Sequence, residues 1–464
     1  MQIVVRVLNL ALGVFVTALV ARLLGRAGYG QWSTIFIILS LTGYFTNFGM
    51  ETVVVREVSR EPEQEEEWLG AMMLLRLIVM LPVILLSIVA VVWIASSNQM
   101  LLAGLILIMA MPFGGVGVMQ LVFQLRVNNL VPMLVVSLRS VLWGAAVVVI
   151  YLTEGTMVTL AIALATTNAI GSLVQAWAAL RQLDRWPRPS RKRLGTLVRT
   201  GMPLGLSGVL IMAYARIDQI MVFQLAGSRP AGLYGSVYMI LDQAHFVPIS
   251  ILTTLAPVIA AAWPADRRRM LSTARRTAEL LAIASAGALA FVIVASTPIV
   301  RLIFGEEFVP AAPALPVLGG AFVFICFGYL NGNVLTVLGL QKRLLVVSLA
   351  ALVVNIAGNL ILIPAAGFMG AAWMTLVTEI VVFAASVWLI MRALHMGLPR
   401  PGRIWRTALA AALLWGALAL VDRAGGSLAV LILAACVAYP ALLFGLRAIS
   451  MEDVRMVLGR NATA

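Results

Sequence analysis

Arg76, Arg139 and Arg216, with Asp218, Asp242, His245 and Glu379, stand in stretches of sequence that are otherwise apolar. An ionised side chain at mid-bilayer costs about 2.5 to 3.5 kcal/mol on insertion scales, so each needs a partner, a wet cavity or a route to the interface. For Arg76 and Arg139 two readings stand open: stems that snorkel to headgroups, or a cationic wall, since guanidinium forks match phosphate oxygens. Arg216 and Asp242 fall at matching depth in consecutive apolar stretches, as a structural ion pair or gate would. Asp218, two residues from Arg216, points to nearly the opposite side of a helix and needs a different partner. His245 follows Asp242 by three residues on one face, a spacing that lets carboxylate and imidazole share a proton; a hydrogen-bonded core histidine is the alternative. Glu379 is the most isolated acid, either neutral and hydrogen-bonded or a coupling site for H⁺ or Na⁺.

Other chemistries lack their residues. His245 and His395 are too far apart for a metal cluster, and Cys326 and Cys436 sit in apolar runs, so neither metal nor cofactor is expected. There is no GxxxxGK[ST] loop, hence no ATPase within the chain, and no catalytic set is assigned. Asn331, Asn355 and Asn359 read as interhelical hydrogen-bonding residues, Gly328 and Gly332 as close-packing positions, and Glu61 to Glu67 as a solvated acidic loop.

The elements that hold these residues follow from composition. Of 464 residues, 62% are hydrophobic and 11% charged, which excludes a soluble protein. At about 20 apolar residues per crossing, fourteen transmembrane helices are predicted. They run over 3–24, 32–53, 69–93, 100–123, 132–152, 157–180 and 202–224, then 234–260, 277–300, 314–338, 344–363, 368–391, 405–421 and 428–446. The first reads as a retained helix rather than a cleaved signal. The net charge of +14 is nearly all arginine and sits in loops, which argues against nucleic acid. Most of it lies in alternate loops, against only Arg22, Arg26, Arg229, Arg301 and Arg423 in the opposite set, so both termini are expected in the cytoplasm.

Two short words recur. Leu-Val-Val-Ser-Leu at 134–138 returns at 345–349, and Ala27-Gly28-Tyr29-Gly30 is echoed by Ala231-Gly232-Leu233-Tyr234-Gly235. The offsets are nearly equal and correspond to six helices, an even number, so the copies enter the membrane from the same side as parallel repeats. The expected fold is all-α: a lobe of six helices over 1–190, a second over 191–395, and two trailing helices with a tail over 396–464. Such lobes can rock about a central cavity, the geometry of alternating access. The first copy ends on Arg139 where the second has Ala350, so the repeat itself tolerates alanine there and the arginine points towards function.

Ala21-Arg22-Leu23-Leu24-Gly25 with Gly28-Tyr29-Gly30, then Gly49 and Val55-Arg56-Glu57, resembles the opening of polysaccharide flippases of the multidrug/oligosaccharidyl-lipid/polysaccharide exporter superfamily. Gly201-Met202-Pro203-Leu204 leading to Arg216-Ile217-Asp218, Phe304-Gly305-Glu306-Glu307-Phe308, and Leu338 to Arg343 with Asn355, Asn359, Ile363-Pro364 and Gly367 to Ala371 extend the likeness over roughly residues 10–390. The family's basic lead is reduced here to Gln2 and Arg6. The resemblance implies export of an undecaprenyl-pyrophosphate-linked oligosaccharide across the bacterial cytoplasmic membrane, through a cavity bordered by helices 1, 2, 7 and 8. Arg22 and Arg216 carry over as substrate-binding residues and join Arg76 and Arg139. Partners would be the lipid-linked oligosaccharide, membrane lipids, and the polymerase and chain-length machinery of a surface polysaccharide such as O-antigen, capsule or exopolysaccharide.

Three other functions compete. A drug or organic-cation antiporter shares the architecture but calls for an acidic cavity, whereas arginines here at least match the acids. A membrane-embedded sugar polymerase or ligase ordinarily needs a sizeable external loop, and the longest connection is the basic one around Arg191-Lys192-Arg193. A nonenzymatic assembly subunit is disfavoured by the duplicated lobes.

Overall fold

The structure, a computed structural model, describes residues 2–47, 49–116, 119–126, 130–183, 186–397 and 402–449. Among these, all regular secondary structure is helical, as a chain in hydrocarbon requires if its backbone polar groups are to be satisfied within each segment. Twelve helices among the described residues are long and apolar enough to cross a membrane. The first divides at Gly25, and Asn98–Gly114 is a further, shorter apolar helix, which together meet the fourteen expected. Their outer faces carry side chains that water would not tolerate: Leu77, Leu81 and Trp93 are 72%, 64% and 77% exposed.

Packing separates the chain into two units, Met1–Gly235 and Ser236–Ala464. The first begins with α1 (Gln2–Asn47), broken at Gly25, whose φ of 62° and ψ of 179° are accessible essentially to glycine alone. Then come α2 (Met50–Arg60), α3 (Glu65–Ile94), α4 (Asn98–Val116), α5 (Gln120–Leu125), α6 (Leu130–Leu152), α7 (Met157–Leu180) and α8 (Arg191–Ala226). Gly227, at φ 96° and ψ 177°, repeats the Gly25 conformation and leads into α9 (Ser228–Ala244).

Two departures from the expected helices have local causes. The stretch predicted as one helix over 100–123 is α4 and α5, with 117–118 outside the described residues. In addition, α8 starts well before residue 202, because Leu194 and Leu197 lie three apart on one helical face and bury with Trp68, Met72, Val58 and Phe123. That core caps the basic end of the unit. Glu61 to Glu67 is correspondingly more than a solvated run: Arg193 reaches Glu67 at 3.3 Å and Glu61 at 3.4 Å, and lies over the Trp68 ring at 4.9 Å. Arg126 lies 4.0 Å from Glu65.

The second unit continues with α10 (Phe246–Ala262), α11 (Arg267–Phe304), α12 (Ala314–Val337), α13 (Gln341–Ala366), α14 (Phe368–Leu394), α15 (Ile404–Arg423) and α16 (Leu428–Gly445). Arg267 to Arg269 and Arg275-Arg276 lie on α11 rather than in the predicted loop. The cationic first turn opposes the helix dipole, and Asp266 offsets it by capping the Arg269 N–H at 2.9 Å. The trailing helices α15 and α16 pack on α11 around Ala290, Leu414 and Leu431, and the Tyr439 hydroxyl donates to the Ile283 carbonyl at 2.7 Å.

Asn331 and Asn355 join neighbouring helices as expected, whereas Asn359 bonds within its own helix. Asn331 donates to Ser386 at 3.0 Å, Asn355 to Thr378 at 3.2 Å, and Asn359 to Asn355 at 2.8 Å within α13. The glycine expectation is corrected at Gly328, where a Cβ would meet nothing within 4 Å, while at Gly332 the nearest atom is a Leu344 methyl at 3.8 Å. The tight approaches fall at other glycines because they depend on neighbouring helices rather than on spacing along one.

Candidate functional site

Within the second unit, residues far apart in sequence gather at a helix break. Pro248 has no N–H to offer the Ala244 carbonyl and its ring crowds that group, so the helix ends at Ala244 and resumes at Phe246. His245 occupies the break. Its ring stacks on Phe322 at 6.0 Å and meets Tyr329 edge-on at 6.0 Å, both on α12. The carboxylates of Asp242 on α9 and Glu379 on α14 both lie near enough to Tyr329 to act electrostatically on its hydroxyl. Three of the sequence-predicted residues thus converge on one side chain, in an otherwise apolar helical setting where electrostatic coupling is strong. The arrangement can hold and pass a proton, with two carboxylic acids, the phenol and the imidazole as the exchanging groups.

Tyr329 is the member that sequence reasoning missed. A tyrosine in an apolar helix resembles ordinary core. The signal that points to it is the density of polar groups around it, with Asn331 and Asn333 in the same turn.

In the first unit, Asp218 finds the different partner its position demanded. It is 2% exposed, accepts the Tyr234 hydroxyl at 2.6 Å and accepts the Gln219 N–H at 2.8 Å. Tyr234 belongs to the second copy of the repeated glycine-tyrosine word and is fully buried, so the motif supplies the ligand for the α8 acid. Arg216 is half-buried on α8 in this unit, and Asp242 lies in the other.

The remaining arginines lie on three different helices, Arg22 on α1, Arg76 on α3 and Arg139 on α6. Arg22 is exposed three residues before the Gly25 break, and Arg139 is exposed on α6. The Arg139 stem crosses Gly171 of α7, where a Cβ would come within 3.3 Å of its Cδ. A small residue on α7 therefore makes room for the arginine stem. Arg76 on α3 lies 3.9 Å from Glu51 and donates to the Gly114 carbonyl at 3.4 Å.

Comparison with known proteins gives this arrangement a family. The model of a family described as "Polysaccharide biosynthesis protein" matches residues 19–313. An uncharacterized membrane protein of Methanocaldococcus jannaschii, MJ1068, is 24% identical over 213 residues, which cover 44% of this chain and 41% of that protein. Among solved structures, the lipid II flippase MurJ in an inward closed conformation aligns over 96% of this chain and 98% of its own, with a TM-score of 0.75 and 14% identity. An inward-facing multidrug resistance MATE family transporter of the MOP superfamily aligns over 84% and 95%, with a TM-score of 0.70 and 16% identity. A MOP superfamily transporter from Pyrococcus furiosus, distinguished by the reverse polarity of its binding pocket, aligns over 84% and 93% at a TM-score of 0.60 and 17% identity. At these identities the structures establish only a shared fold, while the family model covers well over half of the sequence: the chain belongs to the polysaccharide biosynthesis protein family.

Proposed function

We propose that the protein is a flippase that moves an undecaprenyl-pyrophosphate-linked oligosaccharide from the cytoplasmic to the outer leaflet, by alternating access, for assembly of a surface polysaccharide. It acts in the bacterial cytoplasmic membrane with both termini in the cytoplasm, upstream of a polymerase and chain-length machinery. The lobes that rock are residues 1–190 and 191–395, with 396–464 peripheral. The observation that carries this reading over a cation exporter is the polarity of the first unit's span residues. Its deeply buried acid, Asp218, is engaged by Tyr234, while Arg22 and Arg139 are exposed on their helices. Fixed guanidinium groups lower the cost of bringing a pyrophosphate through a low-dielectric slab more than hydroxyls could. Arg22, Arg139 and Arg216 are therefore assigned to the translocation path. Arg76 lines a pocket on α3 that contains none of these three.

The cluster of Asp242, His245, Tyr329 and Glu379 is the proposed coupling site, where H⁺ or Na⁺ entry drives the return of the empty carrier. The same two carboxylates also favour a second reading, export of an organic cation. Deleting the gene and following both the surface polymer and the lipid-linked precursor tests the assignment. A flippase predicts lost polymer with precursor retained on the inner leaflet. Unchanged polymer with raised sensitivity to cationic drugs would replace it with the second reading.

A further inference from the structure

A cavity of about 350 Å³ opens on α3, lined by none of Arg22, Arg139 and Arg216. Gly70, Met73, Leu77 and Met80 line it along one helical face, Arg76 borders that face, and Pro187 and Pro189 close it from the connection between α7 and α8. That connection is a strap. Its two prolines lack N–H groups and favour extended backbone, and the donor between them, Arg188 N–H, reaches the Glu66 carbonyl at 3.1 Å. The strap crosses α3 where Gly70 has no side chain; a Cβ there would lie 2.7 Å from the Arg188 nitrogen.

The mouth faces lipid. Met73, Leu77, Leu81, Leu85 and Val89 form a continuous stripe down α3, exposed by 39% to 72% with no polar residue among them. The wall of a water-filled path would not be built so. The strap lies at headgroup level, since its Trp186 is 69% exposed and tryptophan favours that zone. Arg188, Arg191 and Lys192 beside it are exposed as well. Arg76 starts six residues beyond Gly70, roughly 9 Å deeper at 1.5 Å per residue, and helical side chains lean back towards the N-terminus, here towards the strap. Its guanidinium is incompletely used: Glu51 is 3.9 Å away, the Gly114 bond is 3.4 Å long, and the buried Nε has no hydrogen-bond partner among the described residues.

We propose that this pocket holds an anionic phospholipid of the adjoining leaflet, its phosphate on Arg76 beneath the strap and an acyl chain along the Met73 to Val89 stripe. Bound there, the lipid pins the α7–α8 connection against the end of α3. Glu51 is a loose partner of Arg76, and Glu61, Glu65 and Glu67 by the strap are engaged by Arg193 and Arg126, so the exposed Arg188, Arg191 and Lys192 tip the site towards an anionic headgroup over a zwitterionic one. Its lipid-facing mouth selects a phospholipid over a soluble phosphate.

Native mass spectrometry of the full-length protein, with phosphatidylglycerol or phosphatidylcholine added in detergent, tests this. The wild type should retain phosphatidylglycerol in preference. Arg76→Gln should lower that retention at least tenfold, and Leu77→Trp, which fills the mouth from an exposed position, should lower it comparably. Arg191→Gln, which removes one of several surface charges, should lower it by no more than about fivefold, what a single near-surface cation contributes. If Arg76→Gln proves unstable, Leu77→Trp decides alone. The proposal is overturned by equal retention of the two lipids, by wild-type retention in Leu77→Trp, or by displacement of the lipid by millimolar inorganic phosphate or an equimolar polyprenyl phosphate.

Discussion

Gly30 of the first copy of the glycine-tyrosine word and Gly232 of the second pack backbone against backbone. A Cβ on Gly30 would lie 2.7 Å from the Gly232 nitrogen and overlap the Ser228 carbonyl; one on Gly232 would lie 3.0 Å from the Gly30 nitrogen and overlap the Arg26 carbonyl. The two copies of the motif thus meet each other just beyond the helix breaks at Gly25 and Gly227. Because the obstructing atoms are main chain, no rotamer change can relieve them. Gly30→Ala and Gly232→Ala should each destabilise the protein by about 1 to 3 kcal/mol, as overpacking does. Thermal melting in detergent checks this, and wild-type melting of both variants would show that the contact yields.

The Tyr234 to Asp218 hydrogen bond joins buried groups across the Gly227 break. Tyr234→Phe takes a 2.6 Å donor from the buried carboxylate and should cost about 1.5 to 3 kcal/mol. Asp218→Asn keeps an acceptor for the hydroxyl and should cost less. Comparing the melting of the two variants checks the order.

Arg139→Ala and Arg216→Ala should abolish surface polymer with membrane abundance near normal. Lysine should rescue only in part, because an ammonium lacks the bidentate fork. A snorkelling Arg139 would instead accept lysine or glutamine. A structural pair between Arg216 and Asp242 would instead lose abundance when either member is removed. Measuring export and abundance on the same membranes separates these outcomes.

If the Tyr329 cluster couples transport to an ion, Glu379→Gln and Asp242→Asn should each remove the dependence of export on a proton or sodium gradient. Tyr329→Phe, which deletes only the hydroxyl, should weaken that dependence while leaving folding intact. Substrate uptake by proteoliposomes with and without imposed gradients provides the readout. Gradient dependence unchanged in both acid variants would remove the cluster from the coupling assignment.

Reporter fusions after Arg193 and after Gly425 fix the orientation. A cytoplasmic signal at the first and an external signal at the second is expected from the loop charges. The reverse pattern would turn the protein over.

The sequence by itself determined what depends on the solvent. A chain that is 62% hydrophobic in runs of about 20 residues places its backbone in membrane-spanning helices, and the loss of apolar character between runs separates one span from the next without fixing where each helix starts, as α8 and α11 show. It also shows the glycine-tyrosine word twice, and Gly30 of one copy and Gly232 of the other lie where backbones touch. It announced the charged residues Asp218, Asp242, His245 and Glu379, since each is costly in its setting. Only the tertiary structure decided which of them meet. Nothing in the spacing of Asp242, Tyr329 and Glu379 along the chain brings them together; the packing of α12 with α14, and the break that Pro248 imposes, do so. The same holds for Arg193 with Glu67 and for the strap over Gly70. Those contacts lie at a bundle end where water competes, and their geometry is set by Leu194 and Leu197 turning an apparent linker into the first turns of α8. Periodicity shows which faces of a helix are apolar, but the partner of each face is chosen by the fit of whole helices against one another.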